Sequence, residues 1–388
     1  MTVFKFYDKN GNELKHIDFI EIQWNRKFLE TGSFSIYILS SNWNFDIKYL
    51  TKVGGNEWGM IQKINYDKKT SGEFLEISGF FCEKLLSYGA HWLPLAVDET
   101  DETMIYDWFY YYLKAVLPSW DFVLGTQYQT LYQASVVFLD AISYLNLNIA
   151  VGTTVEQVLY DAIKAFDYSY YCEPVFNPVT DGTQPYVGVT ANVYAGRDKT
   201  DEVFFGTKFG NVSKIEYTLD ESDMFPHYKA VQEIPIASVS QIQTFAEIWS
   251  AYDGGTLKAY IAEDYFYGGN APSDLGYSYP TKVLVTNLSD IEVTPANEPL
   301  IHTQMAKLAQ LDMLNHYKIE TISIDIQQYK FLYLVDYDLG DKCTIMVDEI
   351  GQQFEARIVE VNEVHRNNGV EISLVLGTPN KVKYVKKY

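Results

Sequence analysis

Residues 25–39 read Asn25-Arg26-Lys27-Phe28-Leu29-Glu30-Thr31-Gly32-Ser33-Phe34-Ser35-Ile36-Tyr37-Ile38-Leu39, and this stretch decides the fold class. Ile20, Ile22 and Trp24 alternate with other residues ahead of it, and Phe34, Ile36 and Ile38 alternate with Ser33, Ser35 and Tyr37 within it. A period of two sends successive side chains to opposite faces, so two half-buried strands are joined here as a β-hairpin. Gly32, just before the second strand, is free to take a positive φ and bend the chain sharply. The hairpin by itself specifies no chemistry.

Working outward, residues 1–94 read as β throughout. Phe4 and Phe6 begin a short strand, and Asp8-Lys9-Asn10-Gly11-Asn12 has turn chemistry. Trp58 to Tyr66 and Phe74 to Gly79 form another strand pair around the polar Asp67-Lys68-Lys69-Thr70-Ser71-Gly72. Short antiparallel strands at this spacing suggest a small barrel or a sandwich.

A mixed region, 95–185, follows. Asp98-Glu99-Thr100-Asp101-Glu102 precedes Ile105, Phe109, Tyr112 and Val116, which lie at helical spacing. Acidic residues at a helix N-terminus complement its dipole, which explains them better than a calcium loop. Leu145, Leu147, Ile149 and Val151 alternate as a strand. Thr153-x-x-Glu156 then reads as a capping box, with Val155, Val158, Leu159, Ala162, Ile163 and Phe166 as the apolar helix face. Glu173-Pro174 to Gln184-Pro185 reads as a loop.

Residues 186–298 return to strand pattern, with turns at Gly196-Arg197-Asp198 and Gly210-Asn211. The pattern weakens between Ile234 and Pro299, where Tyr265-Phe266-Tyr267 and Tyr277-Ser278-Tyr279 form aromatic loops of the kind that line contact surfaces, with glycan binding as the less favoured alternative. The last region, 299–388, opens with a helix from Pro299 to about Tyr317. Ile322, Ile324 and Ile326 then alternate, and Tyr337-Asp338-Leu339-Gly340-Asp341 turns into a strand at Cys343 to Val347. Glu355 to Val361 and Val370 to Leu376 complete a meander joined at Asn367-Asn368-Gly369. The fold class is α+β, mainly antiparallel β, with β regions at both ends of a mixed middle.

The 388 residues exceed what one core usually fills, about 250–300. The 32 Tyr, 22 Phe and 7 Trp favour strands and broad contact surfaces. A net charge of −21 disfavours nucleic-acid binding, because the only basic run is the terminal Lys381, Lys383, Lys386 and Lys387. The apolar stretch Leu131 to Val151 is broken by Asp140, Asn146 and Asn148, so no transmembrane helix is expected, and the first residues lack the pattern of a secretory signal.

Cys82, Cys172 and Cys343 are too few and too scattered for a disulfide framework or a zinc site and read as buried thiols. The six histidines, His16, His91, His227, His302, His316 and His365, form no HExxH or Cys/His metal spacing. With no GxSxG, Walker loop or GxGxxG, no catalytic, cofactor or metal residue is expected.

Five stretches together resemble the hub, or tail-associated, proteins at the tail tip of long-tailed siphophages. They are Trp24 to Ile36 with Gly59-Met60-Ile61; Gly196-Arg197-Asp198-Lys199-Thr200 leading to Val203-Phe204-Phe205; Gly210-Asn211-Val212; the helix from Pro299; and Leu339-Gly340-Asp341 with Ala356 to Val361. The resemblance implies two small β-barrel hub domains bracketing the middle region, in a homotrimer whose six barrels match a sixfold tail tube. It implies a virion structural protein, made in the host cytoplasm, that meets the distal tail protein, the tape-measure protein and a central fibre or spike, and that passes DNA without binding it. A carbohydrate-binding receptor protein and a cell-wall hydrolase are the alternatives. The structural and interface candidates are Arg26 and Glu30 for a polar contact, Gly32 and Gly340 with Asp341 for turns, and Ser33, Ser35 and Tyr37 for contact with a neighbour. Tyr265, Phe266, Tyr267, Tyr277 and Tyr279 are the candidate ligand loop.

Overall fold

The computed structural model describes residues 4–90, 113, 121–124, 152–164, 168–176, 188–220, 222, 227–236, 239–253, 256–261, 283–287, 319–347 and 351–377. Strands β1 (Phe4–Asp8), β2 (Glu21–Lys27), β3 (Ser33–Leu39), β4 (Ile47–Lys52), β5 (Trp58–Lys69) and β6 (Gly72–Phe81) come first. Then come β7 (Asp121–Leu124), helix α1 (Val155–Lys164), β8 (Tyr168–Val175), β9 (Gly188–Ala195), β10 (Phe204–Gly206) and β11 (Val212–Asp220). β12 (His227–Ile236), β13 (Val239–Asp253), β14 (Thr256–Ile261) and β15 (Val283–Asn287) precede the last four, β16 (Ile319–Ile326), β17 (Lys342–Val347), β18 (Gln352–Arg366) and β19 (Gly369–Gly377).

These elements fall into two compact units: β12–β15 build the second, and the remaining strands with α1 build the first. The second unit is a four-stranded sheet in the order β14-β13-β12-β15, antiparallel except for the β12–β15 pair.

In the first unit the hairpin forms as its alternation dictates, with Ile22 opposite Ile36 and Trp24 opposite Phe34. β3 pairs β6, and β6 pairs β5 around a turn of only Thr70-Ser71, tighter than the polar run suggests. The two terminal β regions share one twelve-stranded sheet, ordered β1-β4-β5-β6-β3-β2-β18-β19-β16-β11, with β17 bonded to β18 and β10 to β17. The join is made by β18. Its first residues pair with β17 and its later ones, Glu360 to Arg366, with β2. The path from β1 to β11 is open, and no closed barrel forms among the described residues. β7, β9 and β8 make a separate three-stranded sheet.

Two apolar cores lie along the large sheet. The first gathers Phe4, Phe6, Trp24, Phe34, Ile36 and Ile77 with their neighbours. The second gathers Phe28, Phe205, Ile324, Ile345, Ile358 and Leu376. Burying a side chain of this size stabilises the fold by roughly 1.5–3 kcal/mol.

Several expectations need correcting. Gly32 does not have a positive φ; it is small because a Cβ there would strike the Asn25 carbonyl oxygen and the Phe81 ring. α1 is capped one residue later than the capping box implies, with Thr154 Oγ1 accepting from Gln157 N at 3.2 Å. Glu156 instead accepts from Thr31 and pairs with Lys84 at 2.9 Å, which ties the helix to its support. Glu173-Pro174 lies in β8, not in a loop; β8 is an edge strand, where a missing N–H is tolerated. The weak region after Ile234 contains the 15-residue β13. Val239, Ile242, Phe245 and Ile248 recur every third residue there, which fits neither strand nor helix periodicity. The expected helices at Ile105–Val116 and Pro299–Tyr317 and the strand at Leu145–Val151 lie outside the described residues, apart from the single position 113.

Val155, Val158 and Leu159 bury the face of α1 near the short 3-10 turn Cys82–Tyr88, where Val155 N donates to Gly89 O at 3.0 Å. Glu83 in that turn is buried and accepts from Cys172 N at 2.8 Å, while its other oxygen has no partner. Burial pushes its carboxyl up to about 8, against the Cys172 hydrogen bond. All three cysteines are free and buried, and burial raises their thiols.

Candidate functional site: a polar junction between two cores

β2 crosses from one core to the other. Its inward side chains are Ile22 and Trp24, which belong to the first core; Phe28, immediately beyond it, belongs to the second. Arg26 holds the inward position between them and is only 3% exposed. β18 makes the same passage in reverse: Ile358 and Val361 lie in the second core, and Glu363 and His365 point inward opposite Trp24 and Ile22. A bulge between Ile358 and Glu360 resets the alternation so that Val361, Glu363 and His365 share the buried face.

These polar side chains bond to one another. Arg26 Nε donates to Glu57 Oε1 at 2.5 Å, and Nη1 donates to Asp338 Oδ1 at 2.5 Å and to the Tyr333 hydroxyl. Tyr333 donates to Glu363 Oε1 at 3.0 Å, the same oxygen that receives Lys52 Nζ. His365 Nε2 lies 2.8 Å from Glu363 Oε2, and its ring meets Phe4 edge-on at 5.0 Å. Lys52 also lies 5.1 Å from the Tyr333 ring centre.

The electrostatics follow from burial and pairing. Burial opposes the Arg26 charge, yet Glu57, Tyr333 and Asp338 hold it well above the usual arginine value. Burial also opposes the Glu363 charge, but the His365 hydrogen bond and the Lys52 and Arg26 charges bring it down to about 2. Burial draws the Lys52 ammonium down, against the pull of Glu363. A buried ionic cluster of this kind adds little net stability, but it penalises any arrangement that leaves one member unpaired. The cluster ties β2 and β18 to the β16–β17 loop and to Glu57 just before β5.

A second polar clasp lies beside the second core. Gly340 has φ +91°, which only glycine adopts cheaply, and a Cβ on it would enter the Phe28 ring. Gly196 packs directly on the Gly340 backbone, so the Gly196-Arg197-Asp198 and Leu339-Gly340-Asp341 stretches meet. The buried Asp341 carboxylate accepts from Arg197 N at 2.7 Å, Arg197 Nη2 at 2.6 Å and Asp338 N at 2.9 Å. Arg357 donates to Gly340 O and lies 5.0 Å from the Phe28 ring centre; burial draws its guanidinium down to about 10. In the neighbouring turn the Asn211 side chain accepts from Gly206 N at 3.1 Å and donates to Phe204 O at 2.7 Å. Of the five stretches, those at Gly196, Gly210 and Leu339 lie at or beside this clasp, Trp24 to Ile36 reaches it through Phe28 while Gly59-Met60-Ile61 lies by the first core, and the helix from Pro299 is outside the described residues.

Of the candidates, Arg26 lies at the junction, but Glu30 does not join it. Glu30 is exposed and pairs with Lys27 at 2.7 Å. Ser33, Ser35 and Tyr37 lie part-exposed on the other face of the sheet, where Tyr37 stacks on Phe74 at 5.2 Å. Gly340 and Asp341 build the clasp. Tyr265, Phe266, Tyr267, Tyr277 and Tyr279 lie outside the described residues. Sequence reading missed Lys52, Glu57, Tyr333, Asp338, Glu363 and His365. The available signal was a polar residue at a buried parity, as at Glu363 and His365; the loop residues Glu57, Tyr333 and Asp338 gave none.

Among the described residues, no group of three His, Cys, Asp or Glu is placed to hold a metal ion, and no helix is long and apolar enough to cross a membrane.

The fold is similar to that of solved phage tail proteins. The chain is similar to the tail protein from Neisseria meningitidis MC58, with 14% identity, 99% of each chain covered and a TM-score of 0.54. It is also similar to the 43 kDa tail protein of prophage MuSo2 from Shewanella oneidensis, with 9% identity, 97% of this chain and 98% of that one covered, and a TM-score of 0.53. Residues 295–378 match the family described as Siphovirus ReqiPepy6 Gp37-like protein. No curated protein sequence matches the chain.

Proposed function

We propose that this chain is a non-catalytic structural subunit of a phage tail-tip hub, a homotrimer carried in the virion. In this reading each apolar core is the interior of one barrel-like domain, and three copies supply six such domains to a sixfold tube. The partners are the distal tail protein, the end of the tape-measure protein and a central fibre or spike. The observation that carries the reading is the fold likeness to two phage tail proteins over 97–99% of the chain. The sealed junction supports it, because a ring element must keep its two domains in fixed register under load. Excess acid on the wall of such a ring lets DNA pass without being trapped.

Light scattering on the purified chain, alone and with the distal tail protein, tests this. A trimer that binds the distal ring is expected; a stable monomer at micromolar concentration that ignores that protein overturns the reading. A neutral or basic inner wall in the assembled ring would refute the proposed passage of DNA.

A further inference from the structure

The loop between β16 and β17 carries a dense run of exposed apolar residues. Tyr329 is 61% exposed, Leu332 44%, Leu334 37% and Val335 66%, all within seven residues. Exposed apolar clusters of this density on a soluble surface mark contact sites.

The loop is held in shape. Its Tyr333 and Tyr337 are buried in the second core, and Gln328 bonds both, accepting from Tyr333 N at 2.9 Å and donating to the Tyr337 hydroxyl at 2.8 Å. Leu334 N donates to Tyr337 O at 2.9 Å, Val335 N to Leu332 O at 3.1 Å and Leu332 N to Asp336 Oδ2 at 2.7 Å. Leu334 has φ +67°, the only non-glycine residue with positive φ among the described residues. A leucine kept in the left-handed region is a strained position that the surrounding bonds must enforce. A contact loop ordered beforehand loses little entropy on binding.

Charge indicates the occupant. Asp336 is turned back onto the loop backbone, whereas the Lys330 ammonium lies over the Phe209 and Phe331 rings, 4.7 Å and 5.6 Å from their centres. The loop therefore offers apolar side chains and a cation, on a chain whose net charge is −21. A second copy of this chain, with 51 Asp and Glu against 30 Lys and Arg, would supply acidic side chains for that cation. Loop against loop would oppose Lys330 to Lys330, so the contact is head to tail, the kind that closes rings.

We propose that Tyr329, Lys330, Leu332 and Val335 form the knob by which one copy of this chain packs onto an acidic face of the next. The proposal rests on the assembly reading above and names the surface that makes it.

The test is the mass in solution of the wild type, of Leu332→Glu/Val335→Glu and of Phe45→Glu, a control at another exposed apolar residue. The double variant is expected to run as a monomer, at least tenfold weaker in self-association, with an unchanged circular dichroism spectrum, while the control keeps the wild-type mass. An oligomeric wild type with an equally oligomeric double variant overturns the knob and leaves the hub reading standing. A wild type that is itself monomeric overturns both. Should the double variant fail to fold, Val335→Glu alone decides by the same masses, and Lys330→Glu must weaken assembly in the same direction.

Discussion

The two cores of the large sheet are built in different ways. The first draws on residues between Phe4 and Phe81, so its partners are neighbours in the chain. The second draws Phe28 from the first hairpin, Val203 to Val212 from the middle and Ile322 to Leu376 from the end. Short-range contacts cost little loop-closure entropy; the second core has such contacts within the β17–β19 meander but must also close long loops to bring in Phe28 and Val203 to Val212. β2 and β18 span both cores, and the buried ionic cluster lies where they cross. The two cores therefore share one joint.

Breaking the joint should produce the largest effect. Arg26→Met leaves Glu57 and Asp338 without their cation, and a loss of about 3–5 kcal/mol is expected. Urea unfolding followed by hydrogen exchange in β2–β6 and in β16–β19 should show both sets of strands losing protection together. If β16–β19 kept its protection while the first core melted, the two cores would not share the junction.

The next effect contrasts two buried glutamates shifted in opposite directions. Glu363 is held near 2, below its usual 4.5, so its contribution is present above that usual value and is lost as pH falls from about 4.5 to about 2. Glu83 is raised to about 8, so its contribution favours the fold in acid and is lost as pH rises from about 4.5 to about 8. Glu83→Gln should therefore gain on the order of 5 kcal/mol over the wild type at alkaline pH and match it in acid. Melting curves across pH check this. A constant difference between the two proteins at every pH would exclude Glu83 as the source.

Gly340→Ala sharpens the comparison on the side of the second core. A Cβ at φ +91° against Phe28 should cost about 2 kcal/mol, seen as a lower melting temperature and faster exchange in β17. A melting temperature within error of the wild type would mean that the turn yields without strain.

The smallest effect separates the two candidates that the sequence placed side by side. Glu30→Ala should change stability by no more than about 0.5 kcal/mol, because the Glu30–Lys27 pair is exposed. A loss approaching that of Arg26→Met would give Glu30 a role in the junction that its position does not provide.

The first core was legible in advance because alternation of Ile22, Trp24, Phe34, Ile36 and Ile38 has one solution, a half-buried hairpin. Arg26 was partly legible, since it continues the buried parity of β2. Its partners were not, because Glu57, Tyr333 and Asp338 come from loops, which have no periodicity to read. Pro174 was misread because its tolerance depends on β8 being an edge strand, a property of the sheet and not of the residue. Gly32 was misread because a glycine needed for close approach looks the same in sequence as one needed for positive φ.

The sequence by itself determined the antiparallel β character, the hairpin at residues 25–39, the turn at Gly340 and the likeness to phage tail proteins. Each of these depends on residue type and on neighbours within a few positions. Only the tertiary structure decided that the two β regions share one sheet, that β18 joins β17 to β2, and that Arg26 is sealed among Glu57, Tyr333 and Asp338. Pairing between strands more than 300 residues apart, as between β2 and β18, depends on where whole segments come to lie. The hairpin at residues 25–39 has the strands its alternation dictates, and its Arg26 is the residue at which the two cores meet.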